Sequence, residues 1–402
     1  MSWPKTPRQE RFVALADELA GPIARRAAEI DQTGVFPFES FGELQRAGYL
    51  TLTIPEEFGG LGADVLEYAL AQERIAHACG STGLASSMHL SLLGRVGETR
   101  LWPEQTYRAI AERVINEGAL INAANSEPDL GSPSRGALPS TTATRTPHGW
   151  RIDGRKRWAS LSPALTWVFS LVTLVDDDPP RRGNLLIPMA SPGVRVIETW
   201  NNLGMRGTAS HDIVFDGVEV SYDALLPAEG SGAPGDGQAW WSIPGGAVYL
   251  GIGLAARDAA IDYARNRTPN GMSGSIAELQ TIQHKIAEIE LLLLQARTLL
   301  YATAEDWLER PEERADMGWR LAAAKTTVTR HVLRATELAL SVTGSAGMAA
   351  DSSMQRFFRD ARTATGHPPM EDATLTLVGK TALGLPVTPT AKPAPAPEPA
   401  LR

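Results

Sequence analysis

Apolar positions recur at helical spacing over the first quarter of the chain. They change to short alternating runs in the middle and return to helical spacing over the last third. Phe12, Leu15, Leu19 and Ile23 lie three or four residues apart, and Val65, Tyr68, Leu70 and Ile75 mark a second apolar face. Between them, Ile54-Pro55-Glu56-Glu57-Phe58-Gly59-Gly60-Leu61-Gly62 carries a proline and glycines that predict a turn interrupting the helices. From about residue 119 to 227, runs at 141–146, 150–152, 168–175, 184–188, 193–197 and 212–215 are rich in Val, Ile and Thr. Turn formers such as Pro147-His148-Gly149 separate these runs, which predicts an antiparallel barrel or sandwich and not a βαβ unit. A Gly- and Ser-rich connector follows at 228–237. Beyond it, Ile282, Ile286, Ile289 and Leu293 line one long amphipathic face, and Val328, Val332 and Leu340 another.

The pattern is therefore α+β. It comprises an N-terminal helical domain over 1–118, a middle antiparallel β domain over 119–230 and a C-terminal helical bundle over 231–385. A Pro/Ala-rich tail at 386–402 cannot build a core and is expected to be disordered. A length of 402 residues suits two or three domains. With a formal charge of −8, the chain lacks the basic surface that nucleic acid or an acidic membrane needs. Its most apolar stretches, 245–256 and 291–294, fall short of the ~18–20 residues of a membrane span. The opening MSWPKTPRQERF has no apolar core of a signal peptide, so a cytoplasmic location is expected. A single cysteine, Cys79, excludes an internal disulfide and a Cys-rich metal site.

Familiar chemistry is sparse. No GxGxxG follows a strand, and neither a P-loop nor a GxSxG nucleophile elbow is present. The seven histidines show no HExxH or paired ligand spacing, so no metal site is expected. Four segments carry more together than apart: Asn125-Ser126-Glu127-Pro128-Asp129-Leu130-Gly131-Ser132; Gly154-Arg155-Lys156-Arg157-Trp158-Ala159-Ser160; Leu203-Gly204-Met205-Arg206-Gly207-Thr208-Ala209-Ser210; and Gly344-Ser345-Ala346-Gly347 followed by Arg359-Asp360-Ala361-Arg362. In order and spacing they resemble the acyl-CoA dehydrogenase superfamily, from about residue 54 to 384.

That resemblance implies FAD lying between the β domain and the C-terminal helices. Ser126 is similar to the hydroxyl residue beside the flavin ring edge, and Ser132 to the one near the pyrophosphate. Trp158 and Ser160 resemble the strand whose indole covers the ring and whose hydroxyl reaches N5. Hydrogen-bond donors suit a ring edge that gains electron density on reduction. Tyr263-Ala264-Arg265-Asn266-Arg267 with Gln280 resembles the segment in which an Arg binds the FAD pyrophosphate of a neighbouring subunit. Asn270 stands where the family has Phe. Gly344 and Gly347 resemble the glycine turn against the adenine half. A homodimer or homotetramer is implied.

The family's catalytic Glu lies eight positions after the Asp of its R-D-A-K motif. Here that position is Pro368, and the alternative Glu position of some relatives falls at about Trp241, beside Ser242. A dehydrogenase needs a carboxylate to take the α-proton. Glu371 is the candidate for a displaced base, with a surface helix start as its plainer role. His367 is the other candidate, because flavin monooxygenases of this fold carry a histidine there; a purely structural turn is the competing reading. His89 either faces the same cavity or packs within its helix. Three functions follow. The leading one is FAD-dependent dehydrogenation of an acyl thioester with a non-standard base, passing electrons to an electron-transfer flavoprotein. The second is a monooxygenase fed reduced flavin by a flavin reductase and using His367. The third is an inactive flavin-binding partner subunit.

Overall fold

The computed structural model describes residues 3–128, 137–227 and 237–387. Ser132, most of the 228–237 connector and residues 388–402 lie outside them. Helix α1 (Pro7–Thr33) starts where the Thr6 side chain accepts the Gln9 N–H, with Pro7 in the first turn, and it ends at Gly34 with φ 71°. It buries Phe12, Leu19 and Ile23 of the face that the spacing marks, together with Ala16, while Leu15 is half-buried. Helix α2 (Phe38–Arg46) follows. The 54–62 segment is a knot of tight turns in which Gly59 and Gly62 take positive φ. A Cβ on Gly60 would sit 2.2 Å from the Ile54 carbonyl, so only glycine fits.

Helix α3 (Val65–Ala78) opens with a reciprocal Asp64–Glu67 capping box. Val65, Tyr68, Leu70 and Ile75 are buried, but so is nearly every other position, because α1 and a later helix enclose α3 on several sides. Helices α4 (Gly80–Thr99) and α5 (Glu104–Glu117) complete the first helical layer.

The middle of the chain is one eight-stranded sheet: β1 (Ile121–Ala124), β2 (Thr142–Thr146), β3 (Gly149–Ala159), β4 (Trp167–Leu174), β5 (Arg181–Pro188), β6 (Val194–Ile197), β7 (His211–Ser221) and β8 (Leu225–Leu226). Its order is β6-β7-β3-β2-β4-β5-β8, with β1 also on β4. The expected antiparallel pairing holds except along one edge of β4, where β1 and β2 both run parallel to it, one beyond the other. Every residue of β4 is buried, as befits a strand covered on both faces.

Among the described residues, five α-helices follow the sheet: α6 (Ala239–Asn266), α7 (Gln280–Glu309), α8 (Gly318–Thr343), α9 (Ser353–Arg362) and α10 (Glu371–Ala382). Helix α6 packs against α3, α4, α7, α8 and α9, which makes it the spine joining both helical layers. Ile289 and Leu293 of α7, and Val328 and Val332 of α8, are buried as their periodicity requires, while Ile282, Ile286 and Leu340 of the same faces are half-buried. No helix among the described residues is long and apolar enough to cross a membrane.

His89 ties α4 to the sheet. Its Nδ1 accepts the Ile121 N–H at 3.2 Å and its Nε2–H donates to the Leu50 carbonyl at 3.1 Å. Both ring nitrogens are thus used inside the core. Burial holds its pKa down at about 4. The fold therefore needs the neutral ring, whereas the unfolded chain takes up a proton below about pH 6.5. The stability this ring contributes is complete above pH 6.5 and is lost as pH falls through 4. In denaturant titrations, the stability gap between wild type and His89→Gln should narrow by on the order of 3 kcal/mol between pH 7 and pH 4.

Candidate functional site

The stretch Gly154-Arg155-Lys156-Arg157 is strongly polar, yet it continues β3, because strand alternation sends its cations to a buried carboxylate on either side. Lys156 points inward and donates to Glu127 at 2.6 Å, with both side chains fully buried. Arg155 and Arg157 point the other way, onto the buried carboxylate of Asp212, at 2.6 and 3.3 Å. Glu127 also accepts from Ser140 N and Oγ and from Thr141 N. Burial alone would push its carboxyl up, but the bonds from Lys156, Ser140 and Thr141 reverse this and hold it at about 2.

This clamp fixes the next residues along both segments. The Arg157 N–H donates to the Ser126 carbonyl at 2.9 Å, which sets Ser126 beside the end of β3. There the pairing with β7 slips between Lys156 and Ala159. Trp158 takes φ 61°, a left-handed conformation uncommon for a bulky residue, and its indole is 56% exposed. A large apolar ring on a strained backbone facing outward is a surface shaped to receive another flat group.

Ser160, two residues on, is buried and begins a line of hydrogen bonds. Its Oγ lies 2.8 Å from Ser210 Oγ, which lies 2.8 Å from Thr208 Oγ1. Thr208 donates to the Met205 carbonyl, and Met205 N–H donates to Asp360 Oδ1 at 2.6 Å. The β domain is thereby joined to α9. Burial raises the Asp360 carboxyl to about 6, the Met205 N–H opposing it.

Beside Asp360 lies the segment that follows α9. Tyr249 of α6 is 1% exposed, and its hydroxyl meets His367 Nδ1 at 2.7 Å. Lys325 of α8 sends its buried ammonium to the carbonyls of Ala364, His367 and Pro369, at 3.0, 2.7 and 3.4 Å. Burial and then the Lys325 charge lower the His367 ring to about 4, so it is neutral at pH 7. Glu371 opens α10 on the surface, where it is paired with Arg330 at 2.6 Å. Trp241 is half-buried and Ser242 buried on α6; neither supplies a base.

A separate hollow lies at the C-terminal end of α6. Arg267 caps that helix and lines this hollow of about 340 Å³ with Asp262, Tyr263, Thr343, Ser352 and Ser353. The hollow takes in the N-terminus of α9, whose backbone donors favour an anion. Gly344, next to Thr343, has φ 57° and ψ −143°, and a Cβ on Gly347 would lie 2.0 Å from Thr343 Oγ1. Gln280 begins α7, exposed, after a loop that Ile276 N–H holds to the Arg267 carbonyl.

Thus Ser126 and Trp158 lie on neighbouring stretches with Ser160 two residues on, Arg267 shares a hollow with Thr343 at the start of the Gly344–Gly347 turn, and Glu371 stands apart on an ion pair. Tyr249 and Lys325 escaped the sequence reading. Lys325 did leave one signal, a lone cation within the buried stripe of Leu321, Val328 and Val332. Among the described residues, no group of three His, Cys, Asp or Glu side chains could hold a metal ion.

Family models described as the acyl-CoA dehydrogenase N-terminal, middle and C-terminal domains match residues 6–98, 122–218 and 244–371. The chain is 35% identical to the putative acyl-CoA dehydrogenase YdbM of Bacillus subtilis (strain 168), over 92% of its own length and 95% of that protein. It is 31% identical to L-evernosamine nitrososynthase of a Micromonospora species, over 89% of itself and 86% of that protein. Among solved structures it resembles TdsC, the dibenzothiophene monooxygenase of Paenibacillus sp. A11-2, in complex with FMN and indole. The TM-score is 0.84, at 29% identity, covering 94% of this chain and 98% of that one.

Removing one member of the buried Glu127–Lys156 pair leaves the other charge uncompensated. Lys156→Met should lower unfolding free energy by about 3–5 kcal/mol, and the double change Glu127→Leu with Lys156→Met by clearly less. Urea titration of the three proteins measures the difference.

Proposed function

The chain belongs to the acyl-CoA dehydrogenase family, and we propose that it is a flavin-dependent oxidoreductase of the oxygen-using kind within that fold. On this reading it receives reduced flavin from a separate reductase and uses His367 at the reacting face of a small organic substrate. One observation carries the proposal. The customary base position is Pro368, and the nearest carboxylate after it, Glu371, is held in a surface ion pair, whereas His367 is fixed by two neighbouring helices. The likeness to a monooxygenase and to a nitrososynthase supports the same choice.

The residues present suit a flavin. Trp158 offers an exposed indole on which a planar ring can lie, flanked by Ser126 and the hydroxyl line from Ser160. Arg267 and the α9 N-terminus suit the diphosphate of FAD. When bound, the flavin supplies the reducing electrons. The protein's task is to exclude water from the ring, orient the substrate and place the His367 ring against the reacting atoms. Exposed Leu291 and Leu294, at 57% and 60%, give α7 an apolar strip for a second copy of the chain. In such an assembly Arg267, Gln280 and the Gly344–Gly347 turn serve the neighbour's cofactor.

A second reading, dehydrogenation of an acyl thioester, is favoured by the 35% identity to YdbM and by a diphosphate site suited to tightly held FAD. It requires Glu371 to leave Arg330 and act as the base.

Anaerobic addition of an acyl-CoA panel to the yellow protein separates the two. Under the proposal the flavin absorbance persists, and oxygen-dependent product forms once a reductase is supplied. Bleaching by a thioester that Glu371→Gln abolishes would overturn it. His367→Ala should lower oxygen-dependent turnover by roughly 10²-fold or more. Arg267→Ala should weaken flavin retention on gel filtration, and unchanged retention would remove the diphosphate assignment. A protein that takes up neither FAD nor FMN sinks both readings.

A further inference from the structure

We propose that Tyr249 is a positioning residue that locks His367 in the Nε2–H tautomer, so that this histidine meets its ligand as a hydrogen-bond donor and not as a proton acceptor. The inference rests on the reading above only in placing His367 at the reacting face; the tautomer follows from local bonding.

A neutral imidazole carries its proton on one nitrogen, and the bond made by the other decides which. Among the described residues, the Tyr249 hydroxyl has one hydrogen-bond partner, His367 Nδ1. Were Nδ1 protonated, it would donate to the phenol oxygen, and the phenol proton would be buried without an acceptor. That arrangement is costly at a site 1% exposed. Asp360, a carboxylate whose charge acts on this phenol, accepts instead from Met205 N–H. Burial and Asp360 both raise the pKa of Tyr249 well above that of a free phenol, so it keeps its proton. Tyr249 donates, Nδ1 accepts, and the ring proton resides on Nε2. Among the described residues nothing occupies Nε2.

The surroundings oppose a second proton. Lys325 binds the His367 carbonyl itself and places a cation beside the ring, and among the described residues the negative charge that acts on that cation is Glu371, held by Arg330. On α6 the ring faces a neutral phenol, and on α9 the Asp360 carboxyl is already bound to backbone. Each helix packed against His367 therefore supports the neutral ring with Nε2–H outward. A donor there stabilises negative charge developing on an oxygen of the bound reactant. It cannot take a proton from the substrate without first surrendering the Tyr249 bond.

The test uses full-length protein labelled with ring-¹⁵N histidine, the His367 signals being identified by their loss in His367→Asn. Wild type at pH 7 should show a pyrrole-type Nε2 and a pyridine-type Nδ1, and Tyr249→Phe should give a mixture of both tautomers. A pyrrole-type Nδ1 in wild type, or an unchanged pattern in Tyr249→Phe, overturns the inference. The wild-type spectrum decides the matter even if the variant folds poorly. Separately, FAD-loaded protein is photoreduced and mixed with oxygen, and His367→Ala should alter the reoxidation rate. If that rate is unchanged while the tautomer is as assigned, the placement of His367 at the reacting face fails and the Tyr249 lock stands.

Discussion

Lys156 inside β3 and Glu127 just after β1 form a charge pair with no access to water, and the shape of the site depends on it. Its Coulomb energy matters less than the geometry it enforces. A buried carboxylate demands several donors, and Glu127 finds them on Ser140, Thr141 and Lys156, which belong to two different stretches of chain. Meeting that demand draws the loop carrying Ser126 onto the strand carrying Trp158. Asp212 performs the matching task on the opposite face, with Arg155 and Arg157. The end of β3 is therefore pinned from both sides, and the irregular pairing that turns Trp158 outward becomes sustainable.

The same logic joins the layers. Asp360 on α9 accepts the Met205 N–H of the β6–β7 loop, and that loop leads through Thr208 and Ser210 to Ser160. On the helical side, one lysine on α8 satisfies three carbonyls of the segment after α9. A cation with three donors is well matched to a turn whose carbonyls would otherwise face inward unpaired. Polar groups with no freedom to choose other partners thus determine where the sheet meets the last helices.

The helix–sheet–helix order was legible because burial leaves its period in the apolar positions. Strand β3 was legible only to Ile152, since Gly154 to Arg157 resembles solvent-facing loop until their carboxylates are located in space. Strand β1, Ile121-Asn122-Ala123-Ala124, is too short and too alanine-rich to announce itself. Trp158 and Ser160 could be picked out as a motif, but not the strained backbone that exposes the indole. Tyr249 and His367 are 118 residues apart, and no local pattern in an apolar helix such as α6 signals a phenol reserved for one partner.

Trp158 gives the protein an unusual surface. Its main chain sits in a costly region of conformational space and its indole remains wetted, so the native state bears two small penalties at one position. A ligand that covers the indole relieves the second without disturbing the first. A group bound over the indole would therefore raise resistance to heat, so the backbone turn that exposes this ring ties stability to binding.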